Sequence, residues 1–261
     1  MGQTYANSFM SSGFVGASDI LVLNKSKIDE KNRYGIELEN FYSKPNSKIF
    51  ESDILILAVK PQDFKQLASE IKPFLNSEHV VLSVMAGISI EAMQIELGIT
   101  KIVRSMPNIP TQIGEGMTVF CASNAVDRKE LFIVQNLINT TGKSIYIEKE
   151  EMLNAATAVS GSGPAYVFYF LEAMTEAGVQ MGLSQEQAYH LAKATFGGAT
   201  HLARQSTDSP EVLRQRVTSK GGTTYAALTS LADDHVKEAF VKAMLAAQKR
   251  AAELGDEFGK D

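Results

Sequence analysis

The chain has 261 residues, 44% hydrophobic and 21% charged, ordinary proportions for a globular protein with one large or two medium cores. Its net charge of −5 gives no electrostatic case for a nucleic-acid or anionic-membrane partner. The single cysteine, Cys121, excludes an internal disulfide framework and fits a reducing cytoplasm. No apolar run approaches the roughly 18 residues of a membrane span, and no signal peptide is visible. His79, His190, His201 and His235 form no chelating pattern, so no metal site is expected.

The first half reads as strands alternating with helices. Residues 1–12 read as a helix already under way, closed by Gly13. Residues 19–23 (DILVL) read as a short buried strand, and 26–35 as a helix-like segment. Residues 53–59 (DILILAV) form a β-rich apolar run of the kind buried on both faces of a parallel sheet. Pro61 then suits the first turn of a helix to Pro73. Further strands are expected at 80–85, 101–106, 118–122 and 144–147. Helices are expected at 90–97, capped by Ser89, and at 127–140. This alternation predicts an α/β fold, a Rossmann-like doubly wound parallel sheet, with ligands bound off the carboxyl ends of its strands.

A dinucleotide-binding sheet normally opens with a strand and a G-x-G-x-x-G turn. This sequence begins where that turn should finish, with Gly2 placed as its last glycine. The first strand lies centrally in such a sheet, so its loss would leave two strand edges unpaired. The expectation is therefore a sequence that starts at an internal methionine or has been trimmed. After the 19–23 strand stands Asn24-Lys25-Ser26 rather than the Asp or Glu that favours NAD. A cation with short polar neighbours suits a 2′-phosphate, hence NADP, although Lys25 also reads as a solvated lysine.

From residue 150 onward the pattern is helical to the end, which places a domain boundary between 151 and 152. The first helix breaks at Ser160-Gly161-Ser162-Gly163, and Pro164 opens the second. That second helix, 165–181, is apolar nearly all round except for a stripe of Glu172, Thr175, Glu176 and Gln180. Such a helix needs cover on several sides, which implies a subunit interface. Ser184 caps a third helix to about Gln205, and Ser209-Pro210 starts a fourth. The last carries Val236, Phe240, Ala243, Met244, Ala247, Ala251, Leu254 and Phe258 at helical spacing.

Between the fourth helix and the next lies Thr218-Ser219-Lys220-Gly221-Gly222-Thr223-Thr224. Paired glycines let backbone N–H groups approach a ligand, and a helix N-terminus favours an anion. The turn thus reads as a carboxylate or phosphate site, or as a Ser/Thr-rich cap with a glycine link.

Four motifs in order resemble those of the pyrroline-5-carboxylate reductase family: residues 58–61 (AVKP), 106–110 (MPNIP), 159–166 (VSGSGPAY) and 210–231 (PEVLRQRVTSKGGTTYAALTSL). Ile109 stands where threonine is usual, and Met1-Gly2 matches only the tail of the family's Gly-rich turn. The resemblance implies reduction of the C=N bond of 1-pyrroline-5-carboxylate to L-proline with NAD(P)H, NADPH preferred. It also implies an all-helical substrate-binding and dimerisation domain over 152–261, making a homodimer or an assembly of dimers. Phosphate contacts carry over to Met1 and Gly2, and adenosine-end contacts to Asn24, Lys25, Ser26 and Asn46. Nicotinamide-side contacts carry over to Ala58, Val59, Lys60, Pro61, Met85, Ala86 and Gly87. Ser219, Gly221, Gly222, Thr223 and Thr224 form the substrate loop, with Asn108 a further substrate-side candidate.

For this small imino acid, backbone N–H groups of Gly221, Gly222 and Thr223 are expected to hold the carboxylate, with the Thr224 hydroxyl orienting the ring nitrogen. Thr224 is too weak an acid to be the main proton source, so an iminium substrate or water is expected to bring the proton. Lys220 is the nearest charged side chain, and it also reads as merely solvated. Two rival readings remain: another two-domain NADP dehydrogenase, and a nucleotide-binding protein without catalysis.

Overall fold

Helix α1 (Gly2–Ser11) buries Tyr5 and Phe9, four residues apart on one face. The computed structural model describes residues 1–25 and 35–259; the expected helix-like segment after Lys25, and with it Ser26, lies outside them. After α1, Gly13 takes φ +69°, open to glycine at little cost. The expected strand over 19–23 is reduced to β1 (Val22–Leu23), because Ala17–Asp19 closes as a 3-10 turn. β1 pairs in parallel with β2 (Phe41–Tyr42), which is too short to announce itself by pattern.

A separate five-stranded sheet has the order β3 (Ile54–Leu57), β4 (Val80–Ser83), β5 (Ile102–Met106), β6 (Gly116–Ala122), β7 (Gly142–Tyr146). Its pairs are parallel except β5–β6. A short 3-10 segment, Ile109–Ile113, joins those two strands and leaves no room for a crossover helix, so the chain must turn back. β3 is an edge strand. Ile54, Leu55 and Ile56 are therefore half-buried rather than covered on both faces as its apolar run suggests, whereas all four residues of β4 are buried. Among the described residues the two sheets each present an open parallel edge, at β1 and at β3.

Alternation along the strands sends side chains to two cores. Val81 and Ile102 join Phe64, Ala68 and Ile71 of α2 (Phe64–Ile71) and Met93 and Leu97 of α3 (Ile90–Leu97). Val80, Leu82, Val103 and Phe120 face Val134 and Ile138 of α4 (Arg128–Asn139). Tyr5 and Phe9 pack on Leu137, which places α1 beside α4. Local chemistry sets the helix ends: Ser89 Oγ accepts from the Ala92 N–H, Gly98 stops α3 at φ +70°, and Asp127 with Glu130 forms a full capping box.

The remaining chain is helical: α5 (Met152–Ala156), a π-helical turn at Thr157–Gly161, α6 (Gly163–Gln180), α7 (Gln185–Gln205), α8 (Pro210–Arg216), α9 (Thr223–Asp233) and α10 (Val236–Gly259). Two compact units result. One holds Met1–Ser162 with Ala247–Asp261, the other Gly163–Ala246. Along α10, Val236, Phe240, Met244, Ala247 and Leu254 are half-buried and Ala251 is buried. Ala243 is exposed, and the Phe258 side chain lies outside the described part.

In the second unit α6 departs from its expected burial at a few positions, while Glu172, Glu176 and Gln180 are exposed as the stripe predicts. Thr175, in the polar stripe, is only 5% exposed and donates its hydroxyl to the Leu171 carbonyl at 2.7 Å. Phe168 and Tyr169 are 58% and 68% exposed. Small residues explain this: a Cβ on Gly178 would lie 2.8 Å from the Ala188 Cβ, so α6 and α7 meet backbone to backbone and the aromatic face is left outward.

Candidate active site

The α1 N-terminus comes first among the nucleotide-side features. Met1 is its N-cap and supplies no side-chain cap. The first backbone donor used is the Tyr5 N–H, to the Met1 carbonyl, so the N–H groups of Gly2, Gln3 and Thr4 point out of the helix end. A Cβ on Gly2 would stand 3.3 Å from the Ala58 Cβ, so the helix end lies against the carboxyl end of β3. Ala58, Val59, Lys60 and Pro61 follow that strand, and Met85, Ala86 and Gly87 follow β4, with Gly87 at φ +80°. Open donors, close backbone approach and small turn residues at neighbouring strand ends fit the diphosphate and nicotinamide of a dinucleotide.

Candidates for the adenosine end lie on two segments of the same unit. The Asn24 N–H donates to the Tyr42 carbonyl at 2.9 Å, which fixes the turn after β1. Lys25 Nζ donates to Gln66 Oε1 at 3.2 Å. Asn46 caps the 3-10 turn Ser47–Glu51, accepting the Lys48 N–H on Oδ1 at 2.9 Å and leaving its amide NH2 for a ligand. Buried His79 holds this turn: its Nε2–H donates to the Ile49 carbonyl, and its Nδ1 accepts the Asn76 N–H, each at 2.9 Å. Beside α1 a cleft of about 510 Å³, lined by Gln3, Thr4, Asn7, Thr111 and Thr140 among others, offers no charged group.

Asn108, the substrate-side candidate, has protein partners at both ends of its amide. Its Nδ2 donates to the Ser160 carbonyl (3.2 Å) and hydroxyl (3.3 Å), and its Oδ1 accepts the Met117 N–H at 2.9 Å. Both ends of the amide are thus engaged, by the π-turn and by β6. Nearby, the Glu150 carboxylate accepts from Arg104 Nη1 at 2.5 Å and from the Ile90 N–H at 2.9 Å, tying β5 and α3 to the approach to α5. Cys121 lies within their field. Burial foremost, then the Glu150 charge, pushes its thiol up to about 12, leaving it protonated and inert.

In the other unit, Gly221 takes φ +73° and Gly222 is the N-cap of α9, with no side-chain cap bond. The Gly222 N–H is spent on the Ser219 carbonyl at 3.1 Å, which withdraws it from the expected anion cradle. Among the described residues no bond engages the N–H groups of Gly221, Thr223, Thr224 and Tyr225, because the α9 ladder begins with Ala226 donating to the Gly222 carbonyl. Thr224 is half-buried, and its hydroxyl has no partner among the described residues. Thr218 Oγ1 donates to the Arg214 carbonyl at 2.7 Å, and Arg216 pairs with Asp208, so the loop leaves a braced α8. Lys220 is exposed. The sequence reading missed Gln66 and His79, which carry no motif, and gave Ser160 no role although it lies in one.

Residues 150–254 match the family model described as pyrroline-5-carboxylate reductase dimerisation. Residues 1–87 match one described as NADP oxidoreductase coenzyme F420-dependent. A pyrroline-5-carboxylate reductase of Bacillus subtilis is 36% identical, covering 99% of this chain and 93% of that protein. One from Arabidopsis thaliana is 33% identical, covering 97% and 92%. The solved reductase of Coxiella burnetii superposes with a TM-score of 0.87 at 31% identity, over 97% of this chain and 94% of that one. That of Plasmodium falciparum, solved with NADP bound, gives 0.87 at 30% identity, over 98% and 94%. With full-length relatives above 30% identity and two units of matching fold, the chain belongs to the pyrroline-5-carboxylate reductase family.

Proposed function

We propose that this chain reduces the C=N bond of 1-pyrroline-5-carboxylate to L-proline, with NADPH as the hydride donor. The observation that carries the reading is the α9 N-terminus, which holds backbone donors and a half-buried Thr224 hydroxyl that have no partner among the described residues. The N–H groups of Thr223, Thr224 and Tyr225, with the helix dipole, suit one carboxylate. The Thr224 hydroxyl can accept from a protonated ring nitrogen and fix which face of the imine is presented. The substrate brings its proton as the iminium, or takes it through water, and the residues act by position and electrostatics.

Reduced nicotinamide supplies the hydride to the imine carbon when bound. Gly2, Gln3 and Thr4 at the α1 N-terminus are suited to hold the diphosphate, with Ala58 to Pro61 and Met85 to Gly87 lining the nicotinamide side. Asn24, Lys25 and Asn46 are suited to the adenosine end. A working division into a nucleotide domain, 1–151, and a substrate and dimerisation domain, 152–261, is supported by the start of the dimerisation match at residue 150. The outward aromatic face of α6 supports a homodimer. Among the described residues no helix is long and apolar enough to cross a membrane, and a buried, protonated Cys121 suits the cytoplasm. The test is NADPH oxidation on adding 1-pyrroline-5-carboxylate, with proline identified as product. No oxidation by the dimeric protein would overturn the reading.

A further inference from the structure

Gln66 lies on the exposed face of α2, opposite Phe64, Ala68 and Ile71, and belongs to no motif. Two hydrogen bonds fix its amide. Its Nε2 donates to Glu70 Oε1 at 2.9 Å, one helical turn on, which turns its carbonyl oxygen away from Glu70. That oxygen accepts from Lys25 Nζ at 3.2 Å, across 41 residues of sequence. Lys25 follows β1 of the two-stranded sheet, whereas α2 packs on the five-stranded sheet. The contact therefore spans the two sheets at their carboxyl ends, where the adenosine end of a dinucleotide passes in a doubly wound fold.

The chemistry of this relay is specific. A neutral amide can hold an ammonium in place without cancelling its charge. A carboxylate in direct contact would cancel it and would repel a phosphate. Glu70 orients the amide while remaining one side chain removed from Lys25. The ammonium thus keeps its field and has its reach limited.

We propose that Gln66 is a specificity-determining residue: through its Glu70-oriented amide it presents Lys25 to the 2′-phosphate and so sets the preference for NADP(H) over NAD(H). This rests on the reading of Lys25 as the 2′-phosphate contact. Gln66 is the positioning residue and Lys25 the group that touches the ligand.

The test compares 2′,5′-ADP with 5′-AMP by calorimetry on the dimeric protein, because their affinity ratio isolates the 2′-phosphate and needs no turnover. Gln66→Leu removes the brace, and the ratio should fall about threefold, the scale of an exposed charged contact. Gln66→Glu sets a carboxylate against Lys25, and the ratio should fall about tenfold with 5′-AMP affinity held within about twofold. In a Lys25→Ala background Gln66→Leu should have no further effect, since its action passes through Lys25. If Lys25→Ala collapses the ratio while both Gln66 variants leave it within about twofold, the proposal fails and the reading of Lys25 stands. If Gln66→Leu acts equally with and without Lys25, the proposal also fails. If Lys25→Ala leaves the ratio intact, the reading of Lys25 fails and takes the proposal with it. Reductase activity with saturating NADPH, measured alongside, keeps these outcomes separate from the assignment of the reaction.

Discussion

Asn108 and Ser160, 52 residues apart, are joined by a bifurcated bond: one amide NH2 donates to both the carbonyl and the hydroxyl of the serine. The same side chain accepts the Met117 N–H, so one residue joins the end of β5, the start of β6 and the π-turn. Extended π-turns are uncommon and need outside support. Asn108→Asp keeps the acceptor for Met117 but has no NH2 for Ser160. It should lower stability by about 1 kcal/mol, the scale of a hydrogen bond lost at a part-buried partner. Urea unfolding checks this. An Asn108→Asp variant as stable as the parent would show that the clamp does not hold the turn.

Thr224 offers a cleaner division between binding and turnover. Thr224→Ala removes the hydroxyl but keeps the α9 backbone donors. We expect kcat with 1-pyrroline-5-carboxylate to fall by about tenfold or more, the range for one positioned polar group at a reacting centre. The Kd for NADPH should stay within about twofold, and Thr224→Ser should restore most of the rate. Steady-state kinetics with separate NADPH titration decide it, and an unchanged kcat in Thr224→Ala would exclude the orienting role.

Gly142 tests backbone fit at the β6–β7 pair. It takes φ +143°, and a Cβ there would meet the Gly116 carbonyl oxygen at 2.2 Å and the Gly116 nitrogen at 2.5 Å. Backbone cannot swing aside as a side chain can. Gly142→Ala should cost at least about 4 kcal/mol, beyond the range of ordinary substitutions. Soluble yield and thermal melting are the measurements, and a melting temperature near that of the parent would refute the fit.

The thiol of Cys121 gives a pH prediction. Burial raises its pKa to about 12, so the native state holds the proton more tightly than the unfolded chain does. Its contribution is fully present below the ordinary thiol range and is lost as pH rises from about 8.5 toward 12. Tyr5, raised chiefly by burial, loses its own contribution in the alkaline part of that range. Cys121→Ala should flatten the alkaline fall in stability seen by urea unfolding. Alkylation of Cys121 at neutral pH should proceed at the rate of unfolding rather than at that of a free thiol.

The outward face of α6 predicts an association surface. Phe168→Glu or Tyr169→Lys places charge in an aromatic patch that a partner copy would cover. Each should shift sedimentation toward monomer and reduce activity in step. A dimer that survives both substitutions would place the interface elsewhere.

Much of this was legible because it is local. Ser89, Asp127, Ser184 and Ser209 announce helix starts by chemistry within one turn. The β4 run is buried throughout because its neighbours cover it. What stayed hidden depends on distant partners. The antiparallel β5–β6 pair follows from a connection length rather than from any residue's preference. Phe41 and Tyr42 make a strand only because Val22 and Leu23 lie alongside. In the loop before α9, the residue types suggest an anion site, but the Gly222 bond to Ser219 decides which of its donors are engaged. Asn108 was visible as a strand-end residue, yet its service to Ser160 needed the fold.

The buried Thr175 and the outward Phe168 have a consequence for how the protein comes into being. Among the described residues of the unit spanning Gly163–Ala246, the fully covered side chains are small or polar, and several large apolar groups, Phe168 and Tyr169 among them, are exposed in a single copy. With the proposed homodimer, mass action makes protomer concentration part of the stability of this unit. Newly made chains at low abundance would hold the unit that contains the five-stranded sheet and a loosely kept unit spanning Gly163–Ala246. Catalytic competence would then rise more steeply than in proportion to expression.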